Sequence, residues 1–269
     1  MKRVVFVLCL LSNACFSDVL SDKVRGLMGE REYSANSNFI NKIFADKNSF
    51  YTNGSLNIAK IVQSLKNNGL LHLKFSAPAE VNLTFSARTS PILLSRTTND
   101  ILTTMGYTYF NVQKAQYNNG LASITFTFST EHAPDPLVIV SAAQRRGLNC
   151  IDIKRVSLQK WEYLLELESL QIPNSTTLTP AQSTPLRDVS GQYWINIQTQ
   201  GTLQISNPQK WYPRIVLYDR NLVIVDTILE SKSPQNNTSI KIPQGVSFVY
   251  ITDANNPSNL KKGITAQFN

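Results

Sequence analysis

The residues best suited to chemistry are few, and they lie far apart in the sequence. The chain has only two histidines, His72 and His132. His72 alternates with Leu71 and Leu73, which is typical of a side chain on one face of a strand. His132 follows Glu131, but no second histidine stands at the helical spacing that a zinc motif needs. We therefore expect no metal site.

The cysteines favour a structural role. Cys9 and Cys15 lie among the first 17 residues, so Cys150 is the only cysteine of the remaining chain. It stands inside the strand-like run Leu148 to Ile153 with no histidine beside it, which is typical of a small buried residue rather than of a reactive thiol. No nucleophile elbow, phosphate-binding loop or dinucleotide fingerprint occurs in the sequence.

Acidic residues do not form a catalytic pair. Glu162, Glu166 and Glu168 share one parity around Trp161 and Tyr163, which predicts the solvent-facing side of a half-buried strand. A general acid and base would need at least one desolvated carboxylate, and nothing in the local sequence indicates that. We expect no catalytic residue, no cofactor and no enzymatic activity.

Aromatic residues beyond position 190 offer the best candidate binding surface. Trp194, Trp211, Tyr212 and Tyr218 could form a platform that stacks on sugars or docks a protein, because aromatic faces supply contact area at low entropic cost. The alternative is that Trp194 lies in a core and that the segment from Trp211 merely closes a loop. Separately, Asn82 lies in a sequence that matches the acidic bacterial N-glycosylation motif, which applies only if the host has the transferase.

The first residues have the features of an export signal. Lys2 and Arg3 precede the apolar run Val4 to Leu11, and small or polar residues follow. This run is much shorter than the roughly 20 residues that a membrane-spanning helix requires. We therefore predict a signal peptide over residues 1–17, a periplasmic location, and no transmembrane segment after cleavage.

Two other forms of processing remain open. Cleavage after Ala14 also satisfies the small-residue rule, and acylation of Cys15 would make the chain a lipoprotein. Without residues 1–17, the chain keeps 24 basic and 18 acidic residues, a net charge of +6 with no concentrated basic arm. Nucleic acids are bound through clustered Lys and Arg residues, so nucleic acid is not an expected partner.

A composition change divides the chain. Three prolines and a run of hydroxyl residues fill positions 173–189, which predicts an exposed linker. A helical segment is expected over residues 18–54, with a short helix at Phe39 to Phe44. α+β modules are expected over residues 55–172, and a β-sandwich over 190–269.

The α+β region contains a recurrent pattern of helix, glycine and strand. Gly69, Gly106 and Gly147 each follow an apolar-periodic segment, and glycine is the residue that ends a helix in the left-handed conformation. The pattern predicts helices near Leu56–Asn68, Thr98–Met105 and Pro136–Arg146. The strands that follow directly are Leu70–Phe75, Tyr107–Val112 and Leu148–Ile153. The second strands are Val81–Ala87, Ala122–Phe128 and Leu158–Leu167. We predict three equivalent helix-strand-strand units.

The region from Ser55 to about Val112 resembles the short periplasmic N-terminal domains of secretins and TonB-dependent receptors. The resemblance rests on core and helix-capping residues. These are Ile58, Ile61, Leu65, Gly69, Leu73 and Phe75, and then Ile101, Leu102, Met105, Gly106 and Tyr107. It covers about a quarter of the chain and implies a periplasmic protein-interaction module. The chain lacks the secretin channel domain and the receptor barrel.

Beyond residue 190 the apolar period changes to two. Seven short strands separated by turn clusters predict a β-sandwich of jelly-roll type. They are Tyr193–Ile197, Thr202–Ser206, Arg214–Tyr218, Leu222–Ile228, Ser239–Ile242, Ser247–Thr252 and Ile264–Phe268. The segments Gly191–Trp194, Ile215–Asp219 and Ile242–Tyr250 resemble bacterial pre-peptidase C-terminal domains, which bind partners rather than catalyse. The acidic loops of a calcium site are missing here.

These features predict an α+β protein with a C-terminal all-β sandwich that works by binding. The expected function is that of a non-enzymatic scaffold or adaptor of a secretion, pilus or flagellar apparatus. Its partners would be other periplasmic or outer-membrane proteins. The alternative is a peptidoglycan or carbohydrate binder that uses the aromatic residues of the sandwich.

Overall fold

The computed structural model describes residues 19–269, so the predicted signal peptide and its two cysteines lie outside the described residues. The chain divides into two compact units between Ser169 and Leu170. The first unit is α+β and the second is almost entirely β, which confirms the predicted fold class. Among residues 19–269, no helix combines the length and the apolar character needed to cross a bilayer.

Within residues 19–169, the first unit contains six α-helices. Helix α1 includes residues 19–28, and the short helix predicted near residue 40 is present at Ser37–Ile43. The other helices are α2 (Glu30–Ala35), α3 (Ser37–Ile43), α4 (Ile58–Asn67), α5 (Pro91–Thr104) and α6 (Pro136–Gln144). Helix α6 begins as its sequence predicts, because the carboxylate of Asp135 accepts a hydrogen bond from the Leu137 N–H at 2.9 Å and proline follows directly.

One five-stranded sheet carries these helices. Its strands are β3 (Lys74–Ala87), β4 (Asn111–Asn118), β5 (Leu121–His132), β6 (Leu148–Arg155) and β7 (Lys160–Leu167). They lie in the order β4-β5-β3-β7-β6, and only the β3–β7 pair is parallel. A separate two-residue hairpin joins β1 (Tyr51–Thr52) and β2 (Ser55–Leu56).

The core of the first unit lies on one face of this sheet. Val81, Leu83, Phe85 and Ala87 alternate along β3 and are all fully buried. Phe85 stacks on Tyr163 of β7 at 5.2 Å between ring centroids and meets Phe126 of β5 edge-on at 6.1 Å. The opposite face is polar: Thr84 hydrogen-bonds to Thr125 at 2.9 Å and Ser86 to Ser123 at 3.0 Å.

The prediction of three equivalent units is wrong in its first member. The third unit is present as α6-β6-β7. The second has the predicted order, as α5-β4-β5, but its first strand begins at Asn111 rather than at Tyr107, and α4 is followed by the single long strand β3. Residues 70–73, predicted as strand, run irregularly into β3, and their register with β5 shifts between Lys74 and Ala79. All three share one sheet, because a helix with two strands cannot bury its apolar face alone.

The three predicted helix-ending glycines have the expected conformation. Gly69, Gly106 and Gly147 have φ values of 69°, 91° and 75°. At the first two, the following residue closes the helix end: the N–H of Leu70 donates to the carbonyl of Leu65 at 2.9 Å, and that of Tyr107 to Leu102 at 3.0 Å. This is the pattern of a left-handed helix cap.

The second unit is a sandwich of two sheets with one shared core. All seven predicted strands are present as β10 (Tyr193–Asn196), β11 (Gly201–Trp211), β12 (Pro213–Tyr218), β13 (Ile224–Leu229), β14 (Gln235–Ile242), β15 (Phe248–Asp253) and β16 (Ile264–Phe268). The sheets have the orders β13-β12-β15-β10-β8 and β14-β11-β16-β9. Side chains from both sheets, among them Ile195, Leu217 and Ile205, fill the space between them.

The segment predicted as a linker belongs to this sandwich. It contains β8 (Ser175–Thr177), parallel to β10, and β9 (Thr184–Leu186), antiparallel to β16. Leu178 and Leu186 are buried in the core. Both strands lie at sheet edges, where Pro185 is tolerated because one side of an edge strand needs no N–H donor.

Gly191 offers a test of packing in the second unit. It has a φ of 70°, and a methyl group added there would collide with the backbone carbonyl of Pro257. Gly191→Ala should therefore lower the free energy of unfolding by about 2 kcal/mol more than Gly245→Ala, measured by urea denaturation. Gly245 is the matched control, because it also has a positive φ but opens into free space. Equal losses in the two variants would contradict the close approach.

Candidate functional site

The two histidines and the glutamates of β7 lie exposed on the surface of the first unit. His72 and His132 are both exposed, and the Nε2 of His72 lies 3.8 Å from a carboxylate oxygen of Glu32. Glu162 and Glu166 lie on the exposed face of β7, in agreement with their parity. Within residues 19–269, no cluster of three or more His, Cys, Asp or Glu side chains could hold a metal ion.

Cys150 is buried on the core side of β6. Burial, together with the negative charge of Asp152, raises the pKa of its thiol to about 12. The thiol therefore stays protonated at neutral pH, which disfavours a role as a nucleophile because thiolate is the reactive form.

Two buried charged residues have structural partners. The carboxylate of Asp253 accepts hydrogen bonds from the N–H groups of Tyr212, Asn255 and Asn256 and from the amide of Asn259, at 2.8–3.0 Å. Burial alone would raise the pKa of Asp253, but these donors lower it below its ordinary value. In the first unit, the guanidinium of Arg146 binds the carboxylate of Asp100 at 2.6 Å.

The structure divides the predicted aromatic platform. Trp194 and Tyr218 lie together with ring centroids 5.4 Å apart, and Tyr250, which sequence reasoning missed, lies 4.9 Å from Trp194. Trp211 is 0% exposed in the core between the sheets, so it cannot present its face to a ligand. Tyr212 is partly buried, and its N–H binds Asp253. Tyr193 and Ile195 point into the core, so Trp194 between them points to the opposite face of its strand.

Asn82 lies in the central strand β3 rather than in a loop. Its side-chain oxygen accepts a hydrogen bond from the hydroxyl of Thr127, and its neighbours in the sheet are β5 and β7. This position differs from the exposed loop that is typical of a glycosylation acceptor.

The most unusual surface of the first unit is the edge strand β4. All eight of its residues are exposed, although β6, at the other edge of the same sheet, has buried residues and packs against both α4 and α6. Among the described elements, β5 is the only one that packs extensively on β4. The helix layer therefore stops before it reaches β4.

The side chains of β4 are patterned as if a covering element were present. Val112, Ala115 and Tyr117 lie opposite the buried residues Phe126, Ile124 and Ala122 of β5, so they point to the helix-covered face of the sheet. Val112 is nevertheless 52% exposed and Tyr117 57%. Apolar side chains on the core side of a strand are expected to be covered, so this face lacks a partner within the described residues.

A groove runs between β4 and the first turns of α5, and we call it the β4 groove. Its volume is about 570 Å³, and its lining includes Pro91, Ile92, Val112, Ala115, Tyr117 and Ile124. Arg96 of α5 also lines the groove. Between residues 88 and 118 the only acidic side chain is Asp100, which binds Arg146. The groove is thus mainly apolar with one basic side chain in its lining, and it suits an apolar segment that carries an acidic residue.

The sequence did not predict this groove, because the predicted strand ends too early. The predicted strand Tyr107–Val112 ends where β4 begins. In β4, one residue, Gln113, has no partner in β5 between the pairs Val112–Phe126 and Lys114–Thr125. This bulge breaks the simple alternation that would have shown Val112, Ala115 and Tyr117 on one face.

Comparison with known proteins adds no assignment. No protein-family model matches this chain. No curated protein matches its sequence either. The function must therefore be inferred from the residues of the chain itself.

The buried thiol predicts an alkaline loss of stability. The unfolded chain ionises Cys150 near the ordinary value of 9.0, whereas the folded protein holds its pKa at about 12. The thiol therefore contributes stability that is complete below about pH 9 and is lost as the pH rises towards 12, by up to about 1.4 kcal/mol per pH unit.

Unfolding by urea between pH 8 and pH 10 measures this loss. Cys150→Ala should show a smaller decrease in the free energy of unfolding over this range than the unmodified protein. The difference between the two curves isolates the thiol from tyrosines such as Tyr163, whose pKa burial also raises. Identical slopes would contradict the burial of Cys150.

Proposed function

We propose that this chain is a non-enzymatic scaffold or adaptor of a bacterial envelope machine, such as a secretion, pilus or flagellar apparatus. It is exported to the periplasm by its first 17 residues. It acts by contacts with other periplasmic or outer-membrane proteins. The observation that carries this proposal is the β4 groove, where core-facing apolar side chains of β4 have no covering helix.

The chemistry of the groove favours a protein segment over a small molecule. The groove is open along an edge strand, and small-molecule sites are enclosed and carry convergent polar groups. A helix laid beside α5 would cover Val112 and Tyr117 in the way that α4 and α6 cover β6. The resemblance of residues 55–112 to periplasmic interaction modules is in agreement with this interpretation.

Site-specific photocrosslinking in cells tests the proposal. A photoreactive amino acid in place of Tyr117 should give covalent adducts with one or a few other envelope proteins, identified by mass spectrometry. The matched control is the same amino acid in place of Leu164, which is also an exposed apolar residue but lies on the opposite face of the sheet. Adducts are expected from position 117 and not from position 164. The proposal fails if neither position captures another envelope protein.

A second candidate function is binding of peptidoglycan through the aromatic cluster of Trp194, Tyr218 and Tyr250. Aromatic rings supply contact area for such a ligand, and here the rings are tilted against one another. Trp211 and Tyr218 are buried, so only Trp194 and Tyr250 present partly exposed rings, and the binding surface is smaller than the sequence predicts.

Sedimentation with purified cell-wall sacculi distinguishes this candidate from the scaffold. If the scaffold proposal holds, the protein stays in the supernatant. If peptidoglycan is the ligand, the protein sediments with the sacculi and Trp194→Ala lowers the affinity at least about tenfold, since truncation of an aromatic hot spot costs about 2 kcal/mol or more. A parallel measurement with Tyr117→Ser, which leaves the aromatic cluster intact, provides the control.

A further inference from the structure

Among the strands that end the described sheets, β4 in the first unit and β13 in the second both carry exposed apolar side chains. In the first unit, β4 pairs with β5 on one side and with no described strand on the other. In the second unit, β13 is likewise the last strand of its sheet and pairs only with β12. A free edge presents unpaired N–H and C=O groups, and it is a template for another strand.

Both edge strands carry exposed apolar side chains. In β13, Ile224 is 52% exposed and Leu229 is 60% exposed, which matches the exposure of Val112 and Tyr117 in β4. Monomeric proteins usually keep such rows covered or interrupt them with charge. Each strand contains a single charged residue: Lys114 in β4 and Asp226 in β13.

The two strands have the same internal pattern. Each skips one residue in its pairing, Gln113 in β4 and Val225 in β13, just before the charged residue. If the strands lie side by side in parallel, Val112 meets Ile224, Lys114 meets Asp226, and Tyr117 meets Leu229. Ala115 and Thr227 then also fall on the apolar face, so every apolar side chain of β4 finds a neighbour.

We propose that β13 of one copy of this protein adds as a parallel strand to the free edge of β4 in a second copy. This self-pairing rests on the proposed function in one respect, because both assign a binding role to β4. The added strand would extend the floor of the β4 groove with Ile224 and Leu229, and it would leave the open face of the groove to other proteins.

Charge selects this pairing over the simpler alternative of β4 with β4. Two β4 strands around a twofold axis bring Lys114 near its own copy, whereas β13 brings it to Asp226. Like charges on neighbouring strands destabilise a sheet and opposite charges stabilise it. Since the donor and acceptor edges differ, the contact is head-to-tail, and it builds a ring or an open chain rather than a closed dimer.

Charge reversal at each edge tests the pairing. The exported, purified protein should self-associate in a concentration-dependent way in sedimentation velocity experiments at low salt. Lys114→Glu and Asp226→Lys should each weaken association roughly fivefold to tenfold, because each replaces an attraction by a repulsion.

An equimolar mixture of the two variants should recover the association of the unmodified protein. Where β4 of the first variant meets β13 of the second, both substituted side chains face each other and their charges are again opposite. Where β4 of the second variant meets β13 of the first, the unmodified Lys114 and Asp226 form the original pair. Recovery in the mixture therefore excludes misfolding as the cause of the loss.

Matched control variants are Lys154→Glu and Glu166→Lys, which make the same charge changes on exposed positions of β6 and β7. They should leave association unchanged. The inference is overturned if the unmodified protein stays monomeric at high micromolar concentration, if the two edge variants associate normally, or if their mixture fails to recover.

These outcomes are independent of the proposed function. A monomeric protein whose position 117 still captures another envelope protein would overturn the self-pairing and leave the scaffold function in place. Self-association with the expected charge dependence, but without adducts to other proteins at position 117, would support the self-pairing and count against the scaffold function.

Discussion

The structure of the first unit depends on the burial of one face of β3. Four consecutive inward residues of this strand, Val81 to Ala87, are fully buried, and no slip of one residue is tolerated because it would turn all four to the polar face. This register aligns β5 on one side and β7 on the other. The helices must then lie on the single apolar face of the sheet. With β5 and β7 placed beside β3, β4 and β6 become the two edge strands.

The asymmetry of the two edges has the same origin. Helices α4 and α6 both reach β6, and Arg155 at its end donates hydrogen bonds to the backbone carbonyls of Leu27 and Met28 in α1. Helix α5 packs on β3 and β5 and does not extend over β4. Two helix-strand-strand units of the same pattern thus end differently, because the N-terminal helices pack at one side of the sheet. The uncovered unit is the one that contains β4.

The described polar groups mainly stabilise structure. Asp253 organises the turn after β15, Arg146 ties α6 to α5 through Asp100, and Lys23 binds Asp152. Each of these charges has a partner within the described residues. Exposed apolar side chains such as Val112 and Leu229 lie at sheet edges, outside the two cores.

The sequence by itself determined the local elements, because their signals act over a few residues. The left-handed glycines after α4, α5 and α6, the Asp135–Pro136 helix start, and the seven strands after residue 190 were all predictable from such signals. Tertiary structure alone decided that the helical units share one sheet, that Pro185 lies in an edge strand, and that Trp211 faces the core while Trp194 does not. It also decided that β4 is left uncovered, since coverage depends on helices far away in sequence. The bulge at Gln113 interrupts the alternation of β4, so no fixed period in the sequence places Val112, Ala115 and Tyr117 on one face.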